Sequence, residues 1–323
     1  GVLLGSGTSG LELAGGNSTV RGLAINDFSG VSYALTFDSA GNTVEGCIIG
    51  ADVTGTTARS NGFLNIRSGV AGNNTIGGSA AGAGNLITGN ASNSVQLYGD
   101  GNVVQGNFFG TDLAGSADLT TSTVAVYVWS GDGAQIGGPG TGEGNLVVAG
   151  TTGIYTGSGT TNVVVQGNRV GTNRTGSAPL GNFRFGIAAT GSGAVIGGSG
   201  AGQGNHVAGT WDEGIRVNTG AVDTVIQGNL IGTNTAGDGK LSTDHDEAVY
   251  VMASTGTLIG GTGPGEGNTI GYSDSVNILV DPAATGVSIL GNSIASSSGI
   301  GIDLGGDGVT ANDSGDVDPG AND

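Results

Sequence analysis

Acidic side chains are concentrated in one part of the sequence, residues 212–250, where they could act on a substrate or bind a cation. The stretch contains Asp212, Glu213, Asp244, Asp246 and Glu247, together with His245, Arg216 and Tyr250. Carboxylates a few ångströms apart raise each other's pKa or recruit a cation. A pair about 5–9 Å apart is also the arrangement used by glycosidases. Three interpretations stay open: solvated surface, a Ca²⁺ site with oxygen ligands on loops, and catalysis.

The catalytic interpretation places the chemistry on carboxylates of this stretch. Glu213, Asp246 and Glu247 would carry the reaction, with His245 and Arg216 beside them. His245 is the only histidine with acidic neighbours, and His206, at an outward and variable position, is expected on the surface. We favour a protein with no catalytic residues and keep this set as the alternative.

An internal repeat reveals the elements that must position these residues. The tripeptide Ile-Gly-Gly recurs with Ile at 76, 136, 196 and 259, spacings of 60, 60 and 63. Two further series, at turns, are Cys47, Asn107, Asn168, Asn229 and Asn292, and Asn85, Asn145, Asn205 and Asn268. Each repeat of about 60 residues is therefore two unequal coils, each with three strand-like runs between Gly-rich turns. The longer coil carries two loops. The pattern predicts an all-β fold, a single-stranded right-handed parallel β-helix with three sides and about ten coils.

The alternation of side chains predicts which residues form the core of this solenoid. The second residue after each Gly-Asn is aliphatic or Phe and should stack inside, whereas the first residue varies and should face out. At the repeated turns, each Asn can bond the backbone of its own coil and the Asn of the next coil. Cys47 occupies one of these ladder positions, so we expect a buried structural thiol.

The middle strand of each coil carries the most informative outward side chains. Aligning the coils on the inward Ile or Val gives the outward series Asn65, Gln96, Tyr127, Tyr155, Ala188, Arg216, Tyr250 and Asn277. Trp129 should face outward as well. We predict a sugar- or partner-binding strip formed by Tyr127, Trp129, Tyr155, Arg216 and Tyr250, the alternative being ordinary β-formers on a sheet face. Two residues before the inward position, successive coils are expected to carry Glu213, Glu247 and Asp274.

The C-terminal stretch differs from the repeat. We predict that the β-helix covers residues 1–304 and that residues 305–323 are an Asp/Gly-rich loop or a linker to a following domain. Oxygen-bearing side chains there suit a loop that wraps Ca²⁺, and the predicted ligands are Asp307, Asn312, Asp313, Asp316 and Asp318. The alternative is a solvated cap, so the cofactor prediction is either none or Ca²⁺.

Composition and charge exclude several classes of partner. The 323 residues carry a formal charge of −18 and only 8 Lys and Arg, too few to neutralise nucleic-acid phosphates. An anionic polysaccharide would be repelled unless a cation intervened. No apolar run approaches the length of a membrane span, so we expect no membrane insertion. With one Cys there is no internal disulfide. Any export signal is expected upstream of Gly1.

The recurring GNxIG and IGGxxxGxGN motifs, with the closing GIDLGGDGVTANDSGDVDPGAND, give the chain a family resemblance. Over nearly all of residues 18–323 it resembles secreted bacterial parallel β-helix repeat proteins of the wider pectate-lyase-like group, which includes carbohydrate-binding proteins and sugar-active enzymes. The resemblance implies a secreted or cell-surface protein. The Asn-Thr-Asp, Asp-Asp and Gly-His-Gly marks of polygalacturonase-like hydrolases do not occur in the sequence.

These observations lead to an expected function with two alternatives. We expect a non-catalytic extracellular β-helix that acts as a structural spacer or adhesin and binds a polysaccharide or cell-surface glycan along the Tyr/Arg strip. The first alternative is a polysaccharide lyase or glycoside hydrolase with its acidic site in residues 212–250. The second is a surface-layer or filament component that self-associates, because open solenoid ends expose strand edges.

Overall fold

The fold is built entirely from short parallel strands. The computed structural model describes residues 9–28, 33–120, 122–181, 183–241 and 245–309, which form 31 strands, numbered β1 to β31 along the chain, in three sheets. Every third strand belongs to the same sheet, and all pairings between neighbouring strands are parallel. The predicted fold, a right-handed, three-sided parallel β-helix, is confirmed: the chain makes ten coils, each contributing one strand to each sheet, and β31 adds an eleventh strand to one sheet.

The bounds of the strands show how short each side of the coil is. Sheet A contains β1 Ser9–Leu13, β4 Tyr33–Phe37, β7 Leu64–Ser68, β10 Asn93–Leu97, β13 Val124–Asp132, β16 Thr152–Thr161, β19 Phe183–Ala189, β22 Thr210–Val217, β25 Glu247–Val251, β28 Val276–Val280 and β31 Ile302–Leu304. Sheet B contains β2 Thr19–Arg21, β5 Thr43–Glu45, β8 Thr75–Gly77, β11 Val103–Gln105, β14 Gln135–Gly137, β17 Val164–Gln166, β20 Val195–Gly197, β23 Val225–Gln227, β26 Leu258–Gly260 and β29 Ser288–Leu290. Sheet C contains β3 Ala24–Ile25, β6 Ile48–Ile49, β9 Leu86–Ile87, β12 Phe108–Phe109, β15 Leu146–Val147, β18 Arg169–Val170, β21 His206–Val207, β24 Leu230–Ile231, β27 Thr269–Gly271 and β30 Ser293–Ala295.

The core is a stack of aliphatic rows, one from each sheet. In sheet A, Ile154, Ile187 and Ile215 are register partners on successive coils, and all three are fully buried. The predicted inward residues of sheet C form an equivalent row that includes Ile87, Phe109 and Val147, also fully buried. Because these side chains touch the coils above and below, the solenoid gains its stability from nearest-neighbour stacking.

Loops of alternate coils cover part of the outer face of sheet C. The predicted exposure of the first residue after each Gly-Asn is therefore wrong at Leu86, Leu146 and His206, none of which is more than 6% exposed. A Cβ added at Gly115, in the loop over Leu146, would lie 2.7 Å from Leu146 Cδ2, so the loop packs directly on the sheet. His206 is not a surface residue: its Nε2 lies 2.7 Å from the carbonyl oxygen of Thr233, and burial lowers its pKa.

A ladder of buried asparagines joins the coils at the turn before sheet C, as the sequence predicted. Asn145 is representative: its Oδ1 accepts the backbone N–H of Asn107 at 3.0 Å, and its Nδ2 donates to Val104 O at 2.8 Å and to Asn168 Oδ1 at 2.9 Å. Cys47 takes the first position of this ladder, and its buried thiol has a raised pKa because burial disfavours the thiolate. The turn is thus held by side chains where the parallel ladder leaves backbone groups unpaired.

Candidate functional site

The outer face of sheet A presents one straight row of side chains along the solenoid axis. The register pairs Tyr127 with Tyr155, Tyr155 with Ala188, Ala188 with Arg216, and Arg216 with Tyr250. The predicted outward series is therefore confirmed over these five coils. Neighbouring positions stand about 4.8 Å apart, the spacing between paired strands.

The two ends of the predicted outward series are wrong. The residue in register with Gln96 is Arg67 rather than Asn65, and the residue in register with Tyr250 is Leu279 rather than Asn277. Both asparagines lie within their strands and are fully buried. Asn65 Nδ2 donates to Thr88 O at 2.7 Å, so the amide holds the turn instead of facing solvent.

Four aromatic rings form one continuous surface on sheet A, which we call the aromatic platform: Tyr98, Tyr127, Trp129 and Tyr155. Tyr127 and Tyr155 are stacked with centroids 4.8 Å apart, and Trp129 lies 5.1 Å from Tyr127 and 5.9 Å from Tyr98. Trp129 is 47% exposed and sits at a register shift between β13 and β16. Tyr98 is not among the residues predicted for the strip. It follows Gln96 by two residues, just as Trp129 follows Tyr127 by two, and this equivalence is the signal in the sequence that places it on the same face.

Further along the same face, two arginines pack on aromatic rings. We call this group the arginine cluster: Arg184, Phe185, Trp211, Arg216 and Tyr250. The guanidinium carbons of Arg216 and Arg184 lie 4.5 and 4.8 Å from the centroid of Phe185, and those arginines also approach Tyr250 and Trp211 at 5.8 Å each. Such contacts stabilise a cation at an aromatic face. The sequence pattern predicts Arg216 and Tyr250 on this face but does not indicate Phe185, Trp211 or Arg184.

Three carboxylates converge beside the arginine cluster. Asp212, Glu213 and Glu247 each offer an oxygen within 4.8 Å of the others, and they form the one such acidic group within the described ranges. Asp212 is paired with Arg184 at 2.5 Å, and Glu213 Oε1 with Arg216 at 3.2 Å. Glu213 is 3% exposed, and its Oε2 is buried with no hydrogen-bond partner. Oxygen atoms at this spacing suit a divalent cation or a shared proton.

The pKa values of the two glutamates are strongly raised. Burial raises the pKa of Glu213 from 4.5 to about 7, with Asp212 and Glu247 adding to the rise and Arg216 opposing it. Burial likewise raises the pKa of Glu247 to about 7, with contributions from Asp246 and Asp212. Near neutral pH the pair therefore holds protons that exposed glutamates would have lost.

Other residues of the predicted acidic site lie apart from this group. Asp246 is exposed. The slight desolvation of its carboxyl group and the negative charges of Asp212 and Asp274 raise its pKa. His245 is 1% exposed; its Nε2 lies 3.1 Å from Ser273 Oγ, and burial lowers its pKa to about 4. The predicted row of three carboxylates is wrong at Asp274, because Val276 is the register partner of Glu247. Asp274 instead forms an ion pair with Lys240 at 3.3 Å.

The predicted C-terminal Ca²⁺ loop falls mostly outside the described residues. Asn312, Asp313, Asp316 and Asp318 belong to the part that the structure does not describe, and of the predicted ligands only Asp307 is described. Just before it, the Asp303 carboxylate accepts the backbone N–H groups of Gly306 and Gly308, each at 3.1 Å. Ca²⁺ binding by this segment stays a prediction. Asp244, named with the acidic stretch, also lies outside the described residues.

Comparisons with protein-family models, with curated proteins and with solved structures find no match to this chain. Within the described ranges there is no helix long and apolar enough to cross a membrane.

Proposed function

We propose that the protein is a non-catalytic, extracellular carbohydrate-binding solenoid that holds an extended glycan against the outer face of sheet A. The observation that carries the proposal is the aromatic platform, in which four aromatic rings lie together on the outer face of sheet A and Trp129 is 47% exposed. Aromatic rings offer large, rigid apolar faces at a low cost in conformational entropy. The C–H faces of sugar rings are complementary to such surfaces.

The spacing of the platform suits a polymer that runs along the solenoid axis. Side chains in the row repeat every coil, about 4.8 Å, which is close to the length of one sugar residue in an extended chain. Tyr127 and Tyr155 occupy adjacent coils, and Arg216 and Tyr250 continue the same row beyond Ala188. A glycan of several residues would therefore meet the same face repeatedly, which raises its apparent affinity.

The charge of the molecule supports a neutral glycan as the ligand. The formal charge is −18, so an anionic polymer is repelled over most of the surface. The two arginines of the arginine cluster are each paired with a carboxylate, Arg184 with Asp212 and Arg216 with Glu213. Guanidinium donors and carboxylate acceptors side by side are suited to the hydroxyl groups of a neutral sugar.

Glycoside hydrolysis is the second candidate function, because Glu213 and Glu247 are adjacent and both have a pKa near 7. Two features favour binding over catalysis. An acid–base pair works when the two environments push the pKa values apart, whereas these two are raised to similar values. Glu213 is also 3% exposed, so its carboxylate has almost no accessible surface with which to meet a glycosidic bond.

A glycan array followed by a product assay separates the two functions. We expect the protein to retain neutral oligosaccharides on the array and to release neither reducing ends nor unsaturated products from them. Turnover that disappears in Glu247→Gln would establish catalysis and overturn the proposal. Absence of any retained glycan would overturn carbohydrate binding itself.

A further inference from the structure

The row on sheet A is interrupted by one small side chain. Ala188 lies between Tyr155 on one side and Arg216 on the other, and it is 3% exposed at the base of the gap between them. A cleft of about 300 Å³ opens at this position, between the aromatic platform and the arginine cluster. We call it the Ala188 notch. Its volume lies at the lower end of the range found for ligand pockets, about 300–1,000 Å³.

The Tyr155 wall of the notch is held in place by hydrogen bonds and stacking. The other face of the ring stacks on Tyr127 at 4.8 Å. Thr190 Oγ1 donates to the Tyr155 hydroxyl at 3.2 Å and accepts from Asn218 Nδ2 at 2.9 Å. A tyrosine hydroxyl is both donor and acceptor, so Tyr155 keeps its own proton to donate to a ligand. Ordering of this wall before binding lowers the entropy cost of association.

The opposite wall supplies further hydrogen-bond donors from two arginines, each paired with a carboxyl group. Arg216 donates to Glu213 at 3.2 Å and to the Met252 sulfur at 3.0 and 3.3 Å, and Arg184 donates through Nε to Asp212. A guanidinium carries five N–H donors, so both arginines retain donors beyond these contacts. Asp212 offsets the charge of Arg184, and Glu213 offsets that of Arg216 when its carboxyl group is ionised.

We propose that the Ala188 notch is the specificity-determining subsite of this face and takes one neutral, hydroxyl-rich sugar ring. The ring would enter between Tyr155 and the Phe185 side of the arginine cluster, with its hydroxyl groups on the Tyr155 hydroxyl, Asn218 and the arginines. Neutral rather than acidic sugars are favoured because the Asp212 carboxylate lies beside the arginines and the chain carries a formal charge of −18, and both repel a carboxylate. The inference rests on the proposed glycan-binding function and adds where along the face a sugar is selected.

Filling the notch tests the inference. Ala188→Tyr would continue the row with a residue type that already stacks at Tyr127 and Tyr155, so the fold should tolerate it. Leu279→Tyr is the matched control, because Leu279 occupies the same row three coils away, beyond Tyr250. The probe is the neutral oligosaccharide retained best by the wild-type protein, measured by titration calorimetry, with circular dichroism confirming that both variants are folded.

We expect Ala188→Tyr to weaken binding by roughly tenfold or more and Leu279→Tyr to stay within about twofold of wild type. Unchanged affinity in Ala188→Tyr, with wild type binding, would overturn the notch and leave the proposed function standing. Failure of the wild-type protein to bind any neutral oligosaccharide would overturn the proposed function itself. Tighter binding of a uronic-acid analogue than of the neutral probe would overturn the assignment to neutral sugars.

Discussion

Replacing Glu213 by Gln should change how the stability of the protein depends on pH. Glu213 is 3% exposed, its Oε2 has no hydrogen-bond partner, and burial raises its pKa to about 7. In the unfolded chain the pKa returns to its ordinary value, 4.5. The native state therefore holds the proton more tightly than the unfolded state does. The stabilisation from this group is fully present below pH 4.5 and is lost as pH rises through about 7.

The magnitude follows from the difference between the two pKa values. A rise from 4.5 to about 7 corresponds to roughly 3 kcal/mol of stability lost between low and high pH, at about 1.4 kcal/mol per pKa unit. Glu247 has a similarly raised pKa and is coupled to Glu213, so the two effects overlap rather than add. Gln cannot ionise. The free energy of unfolding of Glu213→Gln, minus that of wild type, should therefore rise by about 2–3 kcal/mol between about pH 4.5 and pH 8.

Urea denaturation of both proteins across this pH range measures that difference directly. Glu45→Gln is a suitable control, because Glu45 pairs with Arg21 at 3.5 Å where solvent screens the pair. His245 acts in the opposite direction. Its pKa is lowered to about 4, so its contribution to the free energy of unfolding is fully present above pH 6.5 and is lost as the pH falls through about 4. Since both proteins keep His245, its effect cancels. A difference that stays flat with pH would refute the assignment of a buried, proton-holding Glu213.

The asparagine ladder gives two further predictions. Asn145→Ala leaves the Asn107 N–H without its side-chain acceptor and the Val104 carbonyl without its side-chain donor, while Asn168 Oδ1 loses one of its two donors and keeps the backbone N–H of residue 145. The free energy of unfolding should fall by about 3 kcal/mol, and a loss below about 1 kcal/mol in urea denaturation would contradict this prediction. Cys47 Sγ accepts the Leu23 N–H at a long 3.5 Å. An amide in place of the thiol should extend the ladder, so Cys47→Asn should unfold at a higher urea concentration than Cys47→Ala. If Cys47→Ala unfolded at the higher urea concentration instead, the first position would not require an amide.

The repeat made the architecture predictable from the sequence. The 60-residue spacing fixes which residues stack, so the fold class, the fully buried row that includes Ile87 and Phe109, and the ladder through Asn145 follow from alignment of the coils. Tyr127 and Tyr155 are found as neighbours for the same reason. Each of these depends only on contacts between residues at equivalent positions of successive coils.

The features that the sequence does not predict correctly depend on contacts that the repeat does not specify. Asn65 and Arg67 flank the same inward Ile66, and strict alternation puts both on the outer face, but Asn65 is buried and its amide bonds to the Thr88 carbonyl. His206 follows the alternation and is nevertheless buried, since a loop from a different coil covers it. Phe185 is not predicted as a site residue, because its role is to contact the guanidinium groups of Arg184 and Arg216. The spacing of the repeat does not specify packing between side chains of different rows.

The central claim, that the aromatic platform binds a glycan, is tested most directly by the affinity of Trp129→Ala for the best oligosaccharide found on the array. Phe63→Ala is the matched control, because Phe63 is likewise a highly exposed aromatic residue, at 57%, but lies outside the platform. We predict that Trp129→Ala weakens binding by roughly tenfold or more, as expected for an aromatic residue at the centre of a binding surface, whereas Phe63→Ala binds as wild type does. Equal affinities of wild type, Trp129→Ala and Phe63→Ala would contradict the account.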